Sequence, residues 1–143
     1  MKVFFVNERL AFGSRATRKV HCEKLKAIGI THVVNLRTTK SKRLKEFKRI
    51  WLGFKDDAKP RPAWFYRRAP SFYCKAIKQP RAKIFVMRRM GRHRSTSLTY
   101  FLLRASGASP SAAEAVILRA RPCAKIVKAY RESAEKYLYG RNI

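Results

Sequence analysis

The sequence predicts an α/β fold: a single three-layer domain whose central, mostly parallel sheet is flanked by helices. Short apolar runs typical of strands alternate along the chain with segments whose apolar residues have helical spacing. The 143 residues suit one domain of ordinary size, and the 46% hydrophobic content excludes an intrinsically disordered chain. Because no internal repeat and no Gly/Ser-rich linker divides the sequence, we expect one domain over residues 1–143.

Four strands are predicted in the first half of the chain, at residues 3–6, 10–12, 31–36 and 51–54. Helical spacing predicts a helix at residues 17–27 and a short basic helix at 41–49. Gly29 is well placed to end the first helix, because glycine readily adopts the left-handed conformation that follows many helices. Residues 55–62 contain two prolines and are expected to form a loop.

The second half is predicted to be mainly helical around one strand, at residues 84–87. Residues 62–79 have helical spacing, although Pro70 must start, split or kink that element. A helix at 95–105 is closed by Gly107, and Ser109 followed by Pro110 is a typical start for the next one. After Pro122 a last amphipathic helix is expected to continue to about residue 139.

The charge of the chain indicates a polyanionic partner. Lys and Arg number 35 against 8 Asp and Glu, for a formal net charge of +27. They are spread through the whole sequence rather than gathered in one tail, which suggests a body contacted by phosphate on several sides. The longest stretch without a charged residue is ten residues, 27–36, so we expect no membrane span and no secretory signal.

The three cysteines predict neither a zinc site nor a disulfide framework. Cys22, Cys74 and Cys123 lie about fifty residues apart without paired spacing, which indicates a reducing compartment, and each is expected to be a small buried hydrophobe. The three histidines are too scattered for a metal site. We therefore expect no metal and no cofactor.

The segment with the clearest chemistry is residues 84–97, where a predicted strand passes through a Gly-containing turn into a helix. Amide N–H groups in such a turn and the helix dipole favour an anion. Arg94 can offer a bidentate fork to phosphate, and Ser95 can cap the helix. We call residues 88–94 the β5–α3 loop, because they join the strand predicted at 84–87 (β5) to the helix predicted at 95–105 (α3).

Here the sequence resembles the dual-specificity phosphatases, within the cysteine-based protein tyrosine phosphatase superfamily. The signature of that family is His-Cys, two residues, Gly, two residues, Arg, then Ser or Thr, and Gly91, Arg94 and Ser95 stand in the correct places. Further similar segments cover nearly the whole chain, and the resemblance implies the family's α/β fold. They are residues 8–13, 29–37, 56–57 with 64–65, 100–104 and 120–122.

The nucleophile of that family is missing from the sequence. Its His-Cys dipeptide falls on Met87-Arg88, and a guanidinium has no nucleophilic lone pair to offer phosphorus. Asp57 or its neighbour Asp56 stands where the resemblance places the general acid, which has no function without a nucleophile. We therefore expect a pseudophosphatase that is not an enzyme, with Arg88, Arg94, Ser95 and Asp57 as the residues left at the former catalytic positions.

An arginine at position 88 places a cation beside Arg94 in a turn that already favours anions. Like charges ~4 Å apart repel by about 4 kcal/mol at an intermediate effective dielectric. Arg88 therefore either turns to solvent, pairs with Asp56 or Asp57, or shares a bound anion with Arg94. Four arginines within seven residues favour the shared anion, namely Arg88, Arg89, Arg92 and Arg94.

Two further basic stretches support an RNA partner. Residues 37–49 contain seven Lys or Arg, and residues 55–68 place basic residues beside the aromatic residues Trp64 and Phe65. We expect those two aromatics in the core and the cations on the surface. The expected phosphate-binding cations in these stretches are Arg37, Lys40, Lys42, Arg43, Lys45, Arg67 and Arg68.

These observations favour an inactive phosphatase-fold protein that binds RNA, with ribosomal RNA and neighbouring proteins of a large ribonucleoprotein as partners and no small-molecule substrate. A mitochondrial ribosome, in the matrix, is the preferred setting, and a cytoplasmic one is the alternative. The second interpretation is a regulatory pseudophosphatase that binds phosphoproteins or phosphoinositides through the β5–α3 loop. An engineered, supercharged inactive enzyme and a residual phosphatase are the remaining alternatives.

Overall fold

The fold, taken from a computed structural model, is described for residues 1–14, 16, 18–37, 42–53, 63–88 and 94–139. This part of the chain forms five strands, five α helices and one 3₁₀ helix. In chain order they are β1 (Val3–Phe5), β2 (Leu10–Gly13), α1 (Lys19–Ala27), β3 (His32–Asn35), the 3₁₀ helix (Lys42–Glu46), β4 (Lys48–Trp51), α2 (Ala63–Ile77), β5 (Ile84–Met87), α3 (Arg94–Ala105), α4 (Pro110–Ala120) and α5 (Lys128–Tyr139).

The five strands form one sheet in the order β1-β2-β5-β3-β4. Strand β1 is antiparallel to β2, and every other neighbouring pair is parallel. The prediction of a mostly parallel sheet is therefore confirmed. Because parallel strands end at the same edge, the carboxyl ends of β2, β5, β3 and β4 lie side by side.

Alternating side chains of the strands supply two cores, one on each face of the sheet. On β5, Ile84 and Val86 face a large core built with α2, α3, α4 and α5, whereas Phe85 and Met87 face a smaller core that contains residues of α1 and the 3₁₀ helix. The same alternation holds on β3, where Val33 and Val34 face opposite cores. Both faces are covered, so the predicted three layers are confirmed.

Several local predictions are confirmed at the level of single residues. Strand β5 occupies the predicted residues 84–87. The hydroxyl of Ser109 accepts a hydrogen bond from the N–H of Ala112 at 3.2 Å and caps α4, whose first residue is Pro110. Gly29 has φ +91°, the left-handed conformation expected after α1.

The strand predicted at residues 51–54 is wrong in position, because β4 spans Lys48–Trp51. The basic helix predicted at residues 41–49 is a 3₁₀ helix that ends at Glu46, and Lys48 and Arg49 belong to β4. Strand β4 lies at the edge of the sheet and most of its residues are exposed, so charged side chains suit it and hide the apolar signal of a strand.

Pro70 neither starts nor splits α2, which continues from Ala63 to Ile77 with the proline inside it. The last helix begins at Lys128, several residues after Pro122. The loop predicted at residues 55–62 lies outside the described residues.

Two of the three cysteine predictions are wrong. Cys22 is buried as expected, but Cys74 and Cys123 are exposed. Cys74 lies on α2, where the residues that pack inward include Phe65, Ala69, Tyr73 and Ala76, so helical spacing turns Cys74 outward.

Within the described residues no helix has the length and apolar character needed to cross a membrane.

Candidate functional site: the β5–α3 loop

The β5–α3 loop leaves the sheet at the carboxyl end of its central strand, with β2 on one side and β3 on the other. The N–H of Arg88 donates to the carbonyl oxygen of Gly13 at 3.3 Å, and the N–H of Leu36 donates to that of Met87 at 2.9 Å. These two bonds hold the start of the loop between both neighbouring strands. Residues 89–93 lie outside the described residues.

Gly13 is required at this position by the close approach of another segment. A Cβ on Gly13 would lie 2.0 Å from the carbonyl oxygen of Lys2 and 3.1 Å from the ring of Phe85. Lys2 is held there because its N–H donates to the hydroxyl of Ser14 at 2.8 Å. The segment that leads into β1 therefore packs directly against Gly13, whose carbonyl oxygen accepts the hydrogen bond from the N–H of Arg88.

The side chain of Arg88 is buried, with only 5% of the residue exposed. The alternative in which it turns to solvent is therefore wrong. A buried guanidinium loses its hydration, which is costly unless hydrogen-bond acceptors or an anion replace the lost water. The position at which the resemblance places the nucleophile thus holds a buried arginine.

Helix α3 begins immediately after the loop with a run of buried polar residues. Ser95, Thr96 and Thr99 have no exposed surface, and the hydroxyl of Thr99 donates to the carbonyl oxygen of Ser95 at 2.6 Å. The Ser95 hydroxyl, by contrast, makes no hydrogen bond within the described structure. Ser95 therefore lies inside the helix and does not cap it as predicted, which leaves a buried hydroxyl near the helix N-terminus and its positive dipole.

Arg37 lies at the same edge of the sheet, just after β3. The side-chain oxygen of buried Asn35 accepts from the N–H of Arg37 at 2.9 Å, and the indole N–H of Trp51 donates to the carbonyl oxygen of Arg37 at 2.8 Å. Arg37 is half-buried and its backbone is fixed by both neighbours. Arg37 is thus a predicted phosphate-binding residue that lies outside the loop, just after the strand next to β5.

The remaining predicted residues are dispersed over the molecule. Lys45 is exposed on the 3₁₀ helix, whereas Arg67 and Arg68 are exposed on α2, in the opposite layer. Lys42 and Arg43 belong to the 3₁₀ helix, and Arg94 is the first residue of α3. Four predicted site residues lie outside the described residues: Lys40, Asp57, Arg89 and Arg92.

A polar network that sequence analysis missed ties α3 to α5. The guanidinium of Arg104 donates from Nε and Nη2 to the two carboxylate oxygens of Glu135 at 2.6 and 2.7 Å, and from Nη1 to the carbonyl oxygen of Ala108 at 2.7 Å. The hydroxyl of Tyr100 donates to the same carboxylate at 2.6 Å. Tyr100 and Arg104 are four residues apart, so they share a helix face, but their partner lies 35 and 31 residues later in the chain.

The network perturbs both titrating groups. Hydrogen bonds from Arg104 lower the pKa of Glu135 below its ordinary value, with a smaller contribution from the Tyr100 hydroxyl. Burial, together with the hydrogen bond to Glu135, raises the pKa of Tyr100 to about 12. The bidentate geometry of the network is that of a structural ion pair.

No group of three or more potential metal ligands occurs among the described residues. His32 is buried in β3, its ring is 5.7 Å from that of Phe72, and burial lowers its pKa, with a further contribution from Lys48. This histidine is therefore part of the core. His93 lies outside the described residues.

No family model matches the sequence, and no curated protein sequence matches it significantly. Solved structures, in contrast, match it over nearly its whole length. The human tyrosine phosphatase-like serine/threonine/tyrosine-interacting protein superposes with a TM-score of 0.85 at 17% identity, covering 99% of this chain and 98% of the other.

Two further solved structures agree with this match. Human DUSP28 gives a TM-score of 0.80 at 21% identity over 99% of this chain and 98% of its own. PTPMT1 in complex with PI(5)P gives 0.82 at 15% identity over 99% of both chains. The resemblance drawn from the sequence is thereby confirmed for the architecture: the chain has the fold of the dual-specificity phosphatases.

Proposed function

We propose that this protein is a catalytically inactive phosphatase-fold protein that binds RNA as a structural component of a large ribonucleoprotein, specifically a mitochondrial ribosome. Its partners would be ribosomal RNA and neighbouring ribosomal proteins, and its location the mitochondrial matrix. The proposal has two parts, the loss of phosphatase chemistry and the gain of a polyanionic ligand, and different observations support them.

The buried Arg88 is the observation that carries the proposal. It follows the central strand directly, where the dual-specificity phosphatase signature has its cysteine, and it occupies interior space rather than solvent. Phosphoryl transfer in that family requires a thiolate at this place. An arginine there can pair with a phosphate group but cannot attack it.

The spread of surface cations favours RNA over a single phosphate group. Exposed Lys and Arg side chains occur on both helical layers, for example Lys45 on one and Arg67 on the other. A protein with a formal charge of +27 gains affinity for a polymer of phosphates at each contact. We propose contacts through Arg88, Arg89, Arg92 and Arg94 in the loop, and through Arg37, Lys40, Lys42, Arg43, Lys45, Arg67 and Arg68 around it.

A second candidate function has its own support. One structural neighbour is named as an interacting protein that is phosphatase-like, and another was crystallised with PI(5)P. A regulatory pseudophosphatase would bind a phosphoprotein or a phosphoinositide through the same loop. That function needs only one localised basic patch, whereas this protein has exposed cations on both helical layers.

Filter binding of labelled RNA across a salt series tests the proposal. We expect little sequence preference and a steep loss of affinity with salt, because each neutralised phosphate contributes roughly 0.7–0.9 to the slope of log affinity against log salt. The double variant Arg89→Ala/Arg92→Ala should reduce that slope. Vesicles containing PI(5)P and a phosphotyrosine peptide serve as competing ligands.

Tight binding of the vesicles or the peptide, with RNA binding that barely responds to salt, would establish the second candidate instead. Binding of RNA with an unchanged slope in Arg89→Ala/Arg92→Ala would exclude the loop as a contact while retaining RNA as the ligand.

A further inference from the structure

We propose that a groove between the edge strand β4 and helix α2 is a second RNA-binding site, which holds the backbone of a single-stranded segment. This inference deepens the proposed function and rests on it. The groove has a volume of about 360 Å³ and is lined by Ile50, Arg67, Arg68, Ser71, Phe72 and Lys75. We call it the β4–α2 groove.

The composition of the groove matches a polyanion. Three of its described lining residues are cations and none is acidic, and a fourth cation stands beside them. That cation is Lys48, which pairs in register with His32 and acts electrostatically on it. His32 in turn packs against Phe72, so Lys48 lies on the same face of the sheet as the groove.

The cations form a row along the helix rather than a cluster around one point. Arg67, Ser71 and Lys75 are spaced by four residues, so they lie on one face of α2. With a rise of 1.5 Å per residue, Arg67 and Lys75 are about 12 Å apart along the axis. A row of this length, with a hydroxyl between two cations, fits a chain of successive phosphates better than one isolated anion.

The floor of the groove is apolar, which suits the sugar and base parts of a nucleotide. Ile50 and Phe72 are half-buried and pack against the main core. In single-stranded RNA, cations bind the phosphates while unstacked bases use apolar and aromatic surfaces. An acidic peptide offers charge as well, but it has no repeating planar groups for this floor.

The groove lies two strands away from the strand that leads into the β5–α3 loop. Strand β3 alone separates β4 from β5, and adjacent strands are ~4.8 Å apart. The edge strand of the groove therefore lies about 10 Å from β5, the strand that precedes Arg88.

Fluorescence anisotropy with a fluorescein-labelled oligouridylate tests the groove in the full chain. The double variant Arg67→Glu/Lys75→Glu reverses two exposed groove cations. The matched control, Arg119→Glu/Lys125→Glu, removes the same total charge from exposed positions at the end of α4 and after it. We expect the groove variant to lose at least about tenfold more affinity than the control, because phosphate contacts are lost in addition to net charge.

Equal losses in the two variants would overturn the groove while leaving the proposed function intact, since only net charge would then matter. Failure of the wild-type protein to bind oligouridylate would contradict both the groove and the proposed function. Polyglutamate is the third probe: if it bound the wild type more tightly than oligouridylate and only the groove variant lost it, the groove would be a protein-docking site. Circular dichroism of all variants establishes that they are folded.

Discussion

The backbone N–H of Arg88 donates to the carbonyl oxygen of Gly13 at 3.3 Å, so Arg88 extends the pairing of β5 with β2 by one residue. The arginine therefore begins the β5–α3 loop from a fixed point of the sheet. Its side chain is buried, and Ser95, the second residue of α3, has a buried hydroxyl that makes no hydrogen bond within the described structure. A buried arginine, which has no nucleophilic lone pair, thus follows the central strand directly.

The first prediction concerns catalysis. The wild-type protein should not hydrolyse a generic aryl phosphate, because the residue directly after β5 is Arg88 instead of a cysteine and cannot form a phosphoryl intermediate. Release of the aryl alcohol, followed by absorbance, measures this directly. Turnover above the level of a heat-denatured sample, abolished by Asp57→Asn, would show that a different nucleophile operates.

The second prediction concerns Gly13. Replacing it with alanine should lower the free energy of unfolding by about 2–3 kcal/mol, because the added Cβ meets the Lys2 carbonyl and must displace β1 or β2. Ser14→Ala is the matched control, since it removes only the bond to the Lys2 N–H and should cost about 1 kcal/mol. Urea denaturation of both variants gives the comparison. If both variants lose the same free energy of unfolding, the backbone around Gly13 accommodates the added Cβ without strain.

A third prediction addresses the network between α3 and α5. Glu135→Gln should lower the free energy of unfolding by about 2–3 kcal/mol, because the buried guanidinium of Arg104 loses its counter-charge. Glu132→Gln breaks only an exposed pair with Lys128 at 3.7 Å and should cost less than about 0.5 kcal/mol. If urea denaturation gives similar values for the two, the Arg104 pair contributes no more than a surface contact.

The same carboxylate predicts a pH dependence. The pKa of Glu135 is lowered in the folded protein, so the unfolded state binds the proton more tightly. Its stabilising contribution is complete above the ordinary value of 4.5 and is lost as pH falls below it, through the folded-state pKa. The difference in unfolding free energy between wild type and Glu135→Gln should therefore shrink between neutral pH and acid pH. A difference that stays constant over that range would contradict the assignment.

The layered fold could be predicted because its signals are local. Residues 84–87 are a β-rich apolar run in a basic sequence, and Ser109 with Pro110 carries its own cap and first-turn chemistry. The position of edge strand β4 could not be predicted in the same way. Its exposure allows Lys48 and Arg49 in a strand, and charged residues do not show the alternation of apolar residues that marks a strand.

The site could be predicted only in part. The loop was found from the spacing of Gly91, Arg94 and Ser95, but the burial of Arg88 depends on the strands on either side. Pairing of Arg104 with Glu135 depends on how α3 packs against α5, which local spacing does not reveal. Lys75 was not among the predicted site residues. It lies eight residues after Arg67 in a predicted helix, and this spacing places the two cations on one helix face.

Co-sedimentation with ribosomal particles tests the central claim most directly. The full chain, tagged and expressed in the cells that produce it, is followed through a density gradient of mitochondrial lysate after a high-salt wash, with and without ribonuclease. The account predicts that the protein stays with the particles in high salt, because neighbouring proteins hold a structural component of an assembled particle in addition to the phosphate contacts that salt weakens. Digestion of the RNA should release it. Recovery at the top of the gradient without ribonuclease, or retention on particles after complete digestion of the RNA, would contradict it.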